Sequence, residues 1–478
     1  MRYKILLCVL IPLSVTVSAQ SITELSLSRC LEYSEENDRT LRNAALDVEY
    51  ARARKSEAFT YYFPSVNVSA AGYHFMDPML TVRLGDVLGP SGLAQEIAWY
   101  AEELGDILGV GTSYSLLHYG YFSSISVFQP VYAGGKIVSG NRLAELGIEA
   151  AILKEEAAKR DERVEVEKKY WSVVSLEEKQ NVIDAGLKLT DTLYRDVLSA
   201  QKAGLAVGKD ILLIEKEKSA LAVRKKELEI GIRLSKMALL DLLGVRYHVV
   251  QGIDDDIPDI DDIRLTDTLG PLPDPWEYYV DPAEILAHVY EYELLDLSVR
   301  SHEIQKKIIL SEALPQIGAG ASYGYGRLLG NPQWNGAVYA TLKIPVSDWG
   351  RTVHKLRQED ILKQKAVNDR DFLQEQLLLK IRKLWEDVIL SWDRLEVAQE
   401  EVLVRELTVK QKYADYNAGL STSSQLLESL LDLTVSRTAL ADARIACHTA
   451  LMEYRQMHAT SATVPPTKPI RSDGAISN

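Results

Sequence analysis

The residues best suited to chemistry are eight histidines, which are scattered along the 478-residue chain. Zinc proteases of one large class place two histidines one helical turn apart in the motif His-Glu-x-x-His. His302 and Glu303 begin such a motif here, but Lys306 stands where the second histidine is required. The sequence also lacks a Gly-x-Ser-x-Gly elbow and a phosphate-binding loop. We therefore predict a protein that is not an enzyme, with no catalytic, metal-binding or cofactor-binding residues.

A second candidate site is an acidic segment with several prolines in residues 245–280. Seven of its acids lie between residues 254 and 267, namely Asp254, Asp255, Asp256, Asp259, Asp261, Asp262 and Asp267. A calcium site is one interpretation, but the spacing fits no EF-hand loop and lacks that loop's Gly and Glu. We instead predict a solvated linker between two halves of the chain.

The two halves share landmarks that lie 215 positions apart. The matching pairs are Ala203-Gly204-Leu205 with Ala418-Gly419-Leu420, Ile211-Leu212 with Leu426-Leu427, Pro130-Val131 with Pro345-Val346, and Gly135 with Gly350. Several landmarks in one register predict an internal two-fold repeat. Each Ala-Gly-Leu copy interrupts a long helical pattern, which indicates the turn of a helical hairpin.

Long helices precede both of these turns. One is predicted over about 136–202 and the other from Gly350 to about 416, and at ~1.5 Å per residue the first measures on the order of 100 Å. The apolar positions of the first follow a 3-4-3-4 spacing, which is typical of supercoiled helices. They are Val166, Val173, Leu176, Ile183, Leu187, Tyr194 and Val197, with Lys169, Gln180 and Thr190 as polar members.

Two short strands are predicted in each half. Residues 65–70 alternate with period two, as do residues 317–325, where larger apolar residues alternate with Gly and Ser. Tyr61, Tyr62, Phe63, Tyr73 and Phe75 crowd the ends of the first strand. This arrangement is typical of a transmembrane strand with aromatic girdles, although an ordinary sheet edge is the alternative. Four strands cannot close a barrel, so strands that span a membrane would require several copies of the chain.

The N-terminal residues predict a protein that is exported from the cytoplasm. Residues 1–19 have the basic start, apolar stretch and small-residue cleavage site of a secretory signal peptide. The mature chain keeps Cys30 and Cys447, which are either one disulfide or two separate buried thiols. The net charge of −14 argues against nucleic acid as a partner.

These observations divide the chain into five parts. They are a signal peptide (1–19), repeat 1 (20–244, with its hairpin tip at 203–208), a linker (245–280), repeat 2 (281–458, with its tip at 418–423) and a disordered tail (459–478). Each repeat contains a helix, two strands and a long helical hairpin. Repeat 1 carries an insertion over residues 77–113 between its strands, which we expect to form an exposed loop.

The sequence resembles the TolC family of outer-membrane efflux and secretion channels of Gram-negative bacteria. The resemblance covers nearly the whole mature chain and rests on three motifs. They are the strand entries Phe63-Pro64 and Leu314-Pro315, the segment Gln129-Pro130-Val131-Tyr132-Ala133-Gly134-Gly135, and Tyr416-Asn417-Ala418-Gly419-Leu420 followed by Leu426-Leu427-Glu428.

The resemblance implies a mainly α fold with a small transmembrane β part. A homotrimer would share a 12-stranded β-barrel, four strands per chain, in outer-membrane lipid. The helices would form a coiled-coil barrel, or tunnel, in the periplasm, and the linker would lie in its equatorial belt. By position, Gly204, Leu205, Gly419 and Leu420 would form the tip that contacts a periplasmic adaptor (membrane fusion) protein coupled to an inner-membrane transporter.

The family's channels often carry acidic rings at a constriction just after the second tip. The matching positions here are Gln425, which departs from the acidic pattern, and Glu428, which keeps it; Asp210 is the counterpart of Gln425 in repeat 1. A ring of three Glu428 carboxylates would repel one another and attract cations. The alternative for Glu428 is a solvated helix residue.

The resulting prediction is a passive exit duct of a tripartite efflux pump or a type I secretion system. One alternative is a periplasmic adaptor, or another coiled-coil structural protein of the envelope, without a pore. An adaptor needs only one hairpin, so the duplication and the four strands argue against it. A periplasmic enzyme with coiled-coil arms would need a compact catalytic domain, and no region of the chain remains for one.

Overall fold

The computed structural model describes residues 24–77, 80–83, 87, 92–108, 113–116, 119–204, 207–248, 258–327 and 332–458. Within these residues the chain forms two compact units. Unit 1 comprises Met1–Asp47, Ala151–Leu294 and Arg370–Asn478, and unit 2 comprises Val48–Ala150 and Leu295–Asp369. The predicted signal peptide, most of the predicted tail and Asp254, Asp255 and Asp256 lie outside the described residues.

The elements follow one another in the order expected for two similar halves. The first half contains β1 (Glu24–Leu25), α1 (Leu27–Asn37), α2 (Arg39–Thr60), β2 (Ser65–His74), β3 (Leu80–Arg83), α3 (Gly92–Leu108), β4 (Ser113–Leu116), β5 (Tyr119–Ala133), α4 (Lys136–Lys202) and α5 (Gly208–Leu242). The second contains β6 (Arg264–Leu265), a 3-10 helix (Pro275–Tyr278), α6 (Pro282–Leu286), α7 (Tyr290–Glu312), β7 (Gln316–Arg327), β8 (Gln333–Lys343), α8 (Arg351–Asn417) and α9 (Ser423–His458).

Each half therefore has a strand pair followed by a 67-residue helix, α4 or α8. A shorter helix follows each of them, α5 with 35 residues and α9 with 36. The predicted heptad positions Val166, Val173, Ile183 and Val197 of α4 are almost completely buried, as is the polar member Thr190. Five of the ten predicted positions are thus buried, and the other five are half-buried, namely Lys169, Leu176, Gln180, Leu187 and Tyr194.

The one helix predicted at the start of repeat 1 is in fact two helices, α1 and α2. The chain breaks at Asp38, whose backbone is extended. Its carboxylate accepts a hydrogen bond of 2.8 Å from the backbone N–H of Leu41, in the first turn of α2. Asp38 thereby ends α1 and satisfies a free N–H group at the start of α2.

The prediction of a solvated linker over residues 245–280 is also wrong for the part that the structure describes. Ile260, Ile263 and Leu269 are buried in one apolar cluster of unit 1 with Leu25 and Tyr170. The strands β1 and β6 pair in parallel within this region. The linker residues thus complete the core of unit 1 because their isolated apolar side chains cover α4.

Asp267 shows why an acidic residue belongs to this core. Its carboxylate accepts hydrogen bonds of 2.7 Å from the backbone N–H of Leu27 and of 2.9 Å from the hydroxyl of Tyr170. Both donors are fixed by surrounding structure, so this aspartate anchors the linker instead of binding solvent.

Unit 2 contains an antiparallel four-stranded sheet in the order β2-β5-β7-β8. Val68 lies opposite Ile125, Ile125 opposite Tyr323, and Tyr323 opposite Gly336. Residues that lie opposite one another in neighbouring strands share a face of the sheet. The register therefore sorts the side chains of all four strands onto two faces.

Candidate functional site

The hairpin tip of the second half is a turn built on a glycine. Gly419 has a φ of 74°, in the left-handed region that other residues adopt at a cost. Its N–H donates to the carbonyl of Tyr416 at 3.0 Å, and the N–H of Leu420 donates to the backbone carbonyl of Asp415 at 2.8 Å. These two bonds form a Schellman motif that satisfies the last carbonyl groups of α8. Leu420 is left 81% exposed at the outer end of the turn.

The first hairpin tip has the same kind of turn. Gly204 has a φ of 76° and its N–H donates to the carbonyl of Gln201 at 2.9 Å. Leu205, the remaining predicted tip residue, lies outside the described residues. At both tips no atom lies within 4 Å of a Cβ placed on the glycine, so backbone conformation alone explains the residue type.

A buried apolar cluster lies next to the two tips and contains residues of three helices, α4, α5 and α9, with Val409 and Tyr416 of α8 packed against it. It comprises Leu193, Val197, Ile211, Ile214, Leu426, Leu427 and Leu430. The second residues of the matching pairs Ile211-Leu212 and Leu426-Leu427 have different environments. Leu212 is 67% exposed, whereas Leu427 is buried. The sequence match between the repeats thus does not extend to the surroundings of every side chain.

The predicted constriction residue Gln425 caps the start of α9. Its side-chain oxygen accepts a hydrogen bond of 3.1 Å from the backbone N–H of Thr422, and its own N–H donates to the hydroxyl of Thr422 at 3.3 Å. This reciprocal pair is a capping box, in which two free N–H groups are satisfied at once. The motif Thr-x-x-Gln was readable in the sequence, so this role could have been found there.

Asp210 joins the starts of α5 and α9. Its carboxylate accepts a hydrogen bond of 2.8 Å from the hydroxyl of Ser423, which is 4% exposed. Asp210 lies in the first turn of α5, where the helix dipole stabilises a negative charge. Sequence reasoning missed Ser423, and no motif could have paired it with a residue 213 positions away.

Glu428 lies one turn along α9 from Gln425 and is exposed, whereas its neighbours Leu427 and Ser429 are buried. The structure thus brings Asp210 and Gln425 to the starts of two adjoining helices and leaves the Glu428 carboxylate in solvent in the single chain. Nearby, burial raises the pKa of the Tyr416 hydroxyl, and the charges of Asp196 and Asp210 add to that effect.

Ion pairs connect the two helices of each hairpin in unit 1. Lys218 contacts Asp191 at 2.5 Å and Lys225 contacts Asp184 at 2.6 Å between α5 and α4. Arg405 contacts Asp432 at 2.9 Å between α8 and α9. Such exposed pairs contribute little individually, so they fix the register of the hairpins more than their stability.

The sheet of unit 2 carries an apolar side and a side of small and polar residues, as the sequence predicts. Large side chains on the apolar side are at least one-third exposed. They are Val66, Val68, Tyr121, Ile125, Ile317, Tyr323, Tyr325, Trp334, Val338 and Leu342. The other side carries mainly small and polar residues, among them Ser69, Ser124, Ser126, Gly320 and Ser322, together with the aromatic residues Tyr73, Phe122, Phe128 and Tyr339. Exposed apolar area of this extent marks an interaction surface.

The outer strands of this sheet, β2 and β8, each have only one neighbour among the described residues. A Tyr-Trp group lies on the apolar side where Tyr323 and Trp334 stack at 5.2 Å between ring centroids. None of the helices in the described part of the chain is apolar over enough of its length to cross a membrane. Those residues also contain no cluster of His, Cys, Asp and Glu that could hold a metal ion.

Comparison with known proteins identifies the class. Residues 297–459 match the outer membrane efflux protein family. The structure is similar to VceC of Vibrio cholerae, an outer membrane protein, with a TM-score of 0.68, 15% identity and coverage of 91% of this chain and 95% of that one. It is also similar to a membrane protein of Pseudomonas aeruginosa (TM-score 0.70, 17% identity, coverage of 90% and 93%) and to the outer membrane channel CmeC of Campylobacter jejuni (0.68, 14%, 91% and 85%). A search of curated proteins finds no match.

The chain thus has the mainly helical fold of outer-membrane channels, with antiparallel strands, and its second half contains an outer membrane efflux protein domain. These comparisons confirm the resemblance to TolC-family outer-membrane channels that the sequence predicts. The roles of Gly204, Leu205, Gly419, Leu420, Asp210, Gln425 and Glu428 stay predictions.

Proposed function

We propose that three copies of this chain form a passive exit duct across the outer membrane of a Gram-negative bacterium. Each copy contributes its four strands to a twelve-stranded barrel, and the long helices of both repeats form a tunnel in the periplasm. The equal lengths of α4 and α8, and nearly equal lengths of α5 and α9, support the two-fold repeat. The duct performs no chemistry.

The exposed sheet of unit 2 is the observation that carries this proposal. An apolar side in lipid requires that every backbone N–H and C=O group is paired, and β2 and β8 leave one edge each without a neighbour in the single chain. Pairing β2 of one copy with β8 of the next closes both edges and places the small and polar side in a water-filled lumen.

The hairpin tips are proposed as the end that partners recognise. Gly204, Leu205, Gly419 and Leu420 would contact a periplasmic adaptor coupled to an inner-membrane transporter, within a tripartite efflux pump or a type I secretion system. The 81% exposure of Leu420 at the end of its turn supports such a contact. Three Glu428 carboxylates would surround the axis at the constriction and favour cations.

Strand pairing between copies provides the test. We expect Val68→Cys on β2, combined in turn with Val338→Cys, Ala340→Cys or Leu342→Cys on β8, to give dimers and trimers with a short thiol-specific cross-linker. At least one combination should react because opposite Cβ atoms in neighbouring strands lie about 4.5–5.5 Å apart. The single variants, which retain the buried Cys30 and Cys447, are the controls.

Two further measurements would complete the test. Outer-membrane fractions should contain a trimer that unheated electrophoresis preserves, and the purified protein should conduct ions in planar bilayers. A mature protein that is monomeric and water-soluble without detergent would refute the proposal. Cross-linked trimers without conductance would retain the assembly and refute the duct.

A further inference from the structure

The helix α3, in the insertion between β2 and β5, has two small residues buried on one side. Ala98 is 7% exposed and Gly105 is also buried. The two residues lie seven positions apart and therefore on the same side of the helix. The adjoining strands β3 and β4 pair with each other at the base of this segment, with Val82 opposite Tyr114.

The large apolar residues of α3 lie on a different side and face solvent. Five of them, Leu93 (72% exposed), Ile97 (52%), Tyr100 (58%), Leu104 (59%) and Ile107 (76%), follow one line along the helix, and we call them the apolar stripe. Trp99 (56%) and Leu108 (66%) are exposed on its two flanks. In an amphipathic surface helix the bulky apolar residues normally pack against the core of the protein. The reverse arrangement here leaves an interaction surface without an occupant inside the described part of unit 2.

The spacing of the apolar stripe indicates the shape of what covers it. Its five residues follow one another at intervals of four, three, four and three positions. This is the seam that pairs with another helix, in which side chains of one helix fill holes in the other.

Charge indicates the chemistry of the partner. Glu96 and Glu103 are exposed and lie seven positions apart, along one flank of the apolar stripe. Between residues 84 and 135 the sequence contains five acidic residues and neither Lys nor Arg. A second copy of α3 is disfavoured, because its own glutamates would lie next to Glu96 and Glu103 and repel them. Anionic lipid is disfavoured as well, because the helices that bind it are rich in Lys and Arg. A positively charged partner is complementary.

We propose that α3 is a docking site for a cationic amphipathic helix of another polypeptide. The apolar side of that helix packs on the apolar stripe, and its Lys or Arg side chains contact Glu96 and Glu103. The insertion joins the end of β2 to the start of β5, whereas α2 and α4 adjoin the opposite ends of these strands. In the duct proposed above, the docking site would therefore face the exterior, but the binding itself does not depend on that assignment.

The test uses the full mature chain in nanodiscs of zwitterionic lipid. The probe is a fluorescent 18-residue peptide of Leu and Lys with Leu at alternating three- and four-residue intervals, and a sister peptide carries Glu in place of Lys. Fluorescence anisotropy should show saturable binding of the Leu/Lys peptide beyond that to empty nanodiscs, and none of the Leu/Glu peptide. Added salt should weaken the binding.

Variants of exposed residues assign the binding to α3. Ile97→Gln with Leu104→Gln should weaken it about tenfold or more because apolar contact area is lost. Glu96→Gln with Glu103→Gln should weaken it about threefold to tenfold. The matched control Glu102→Gln removes the same charge from the opposite side of the helix and should change the binding by less than about twofold.

Several outcomes would overturn the proposal. They are equal binding of both peptides, binding no greater than to empty nanodiscs, and unchanged binding to the Ile97/Leu104 variant. A change in the number of chains per particle in that variant would instead assign the apolar stripe to contact between copies. None of these results depends on ion conductance, so failure of the docking site is distinguishable from failure of the duct.

Discussion

The hydrogen bond from Ser423 to Asp210 makes a specific prediction about the tip. The substitution Ser423→Ala removes one hydroxyl and leaves the half-buried Asp210 carboxylate without that donor. Hydrogen bonds to charged groups contribute about 1.5–3 kcal/mol. Since Asp210 is half-buried, water can replace part of this bond, and we expect a loss of about 1–2 kcal/mol.

A loss of that size should increase local opening of the first turns of α5 and α9 by about 5-fold to 30-fold. Hydrogen exchange of peptides that cover these turns, followed by mass spectrometry, measures the opening directly. The control is Ser424→Ala, since the Ser424 hydroxyl has no hydrogen-bond partner in the part of the chain that the structure describes.

We expect faster exchange at the starts of both helices, although only α9 carries the substitution. Faster exchange in α9 alone would show that Ser423 stabilises its own helix and not the junction. Exchange within about twofold of the unaltered protein in both helices would refute the assigned hydrogen bond.

Three further predictions concern unit 1. Glu428→Ala should reduce the preference for cations, or change single-channel conductance, in planar bilayers; an unaltered trace would remove the acidic ring but not the duct. Tyr454→Phe should lower the free energy of unfolding in urea by about 2–4 kcal/mol, because the buried N–H and carbonyl of Val280 each lose a partner at 3.1 Å; a loss below about 1 kcal/mol would contradict this. Burial, with a smaller contribution from Asp267, raises the pKa of the Cys30 thiol to about 12, so the thiol is protonated at pH 8. Iodoacetamide should therefore modify Cys30 only after unfolding, and equal rates in native and unfolded protein would contradict its burial.

The sequence predicts regular elements well where one period governs many residues. The two-residue alternation of β7 agrees with its register against β8, and the heptad positions of α4 agree with burial. In both cases the same physical requirement acts on every second, third or fourth residue, so the signal accumulates. One residue that departs from the period therefore does not obscure the pattern.

Isolated residues with long-range partners could not be predicted in the same way. Ile260 and Ile263 are buried, but they stand among acidic residues that dominate the composition of their segment. Likewise Asp267 accepts a hydrogen bond from Tyr170, 97 positions away. Burial in this region depends on which surface of α4 the segment covers, and no local pattern records that. The break at Asp38 is different, since a capping aspartate is a local signal that could have been given more weight.

The three predicted constriction residues differ in the hydrogen bonds that their side chains make. The amide of Gln425 satisfies the N–H of Thr422, and the carboxylate of Asp210 accepts from Ser423. An acid at position 425 could cap the helix as well, since a carboxylate also accepts from a free N–H group. Charge is therefore not excluded from this position by the cap. In a trimer, however, the residues as they stand leave Glu428 as the exposed carboxylate of this helical turn, so one ring of three charges at position 428, and not two successive rings, would govern cation preference along α9.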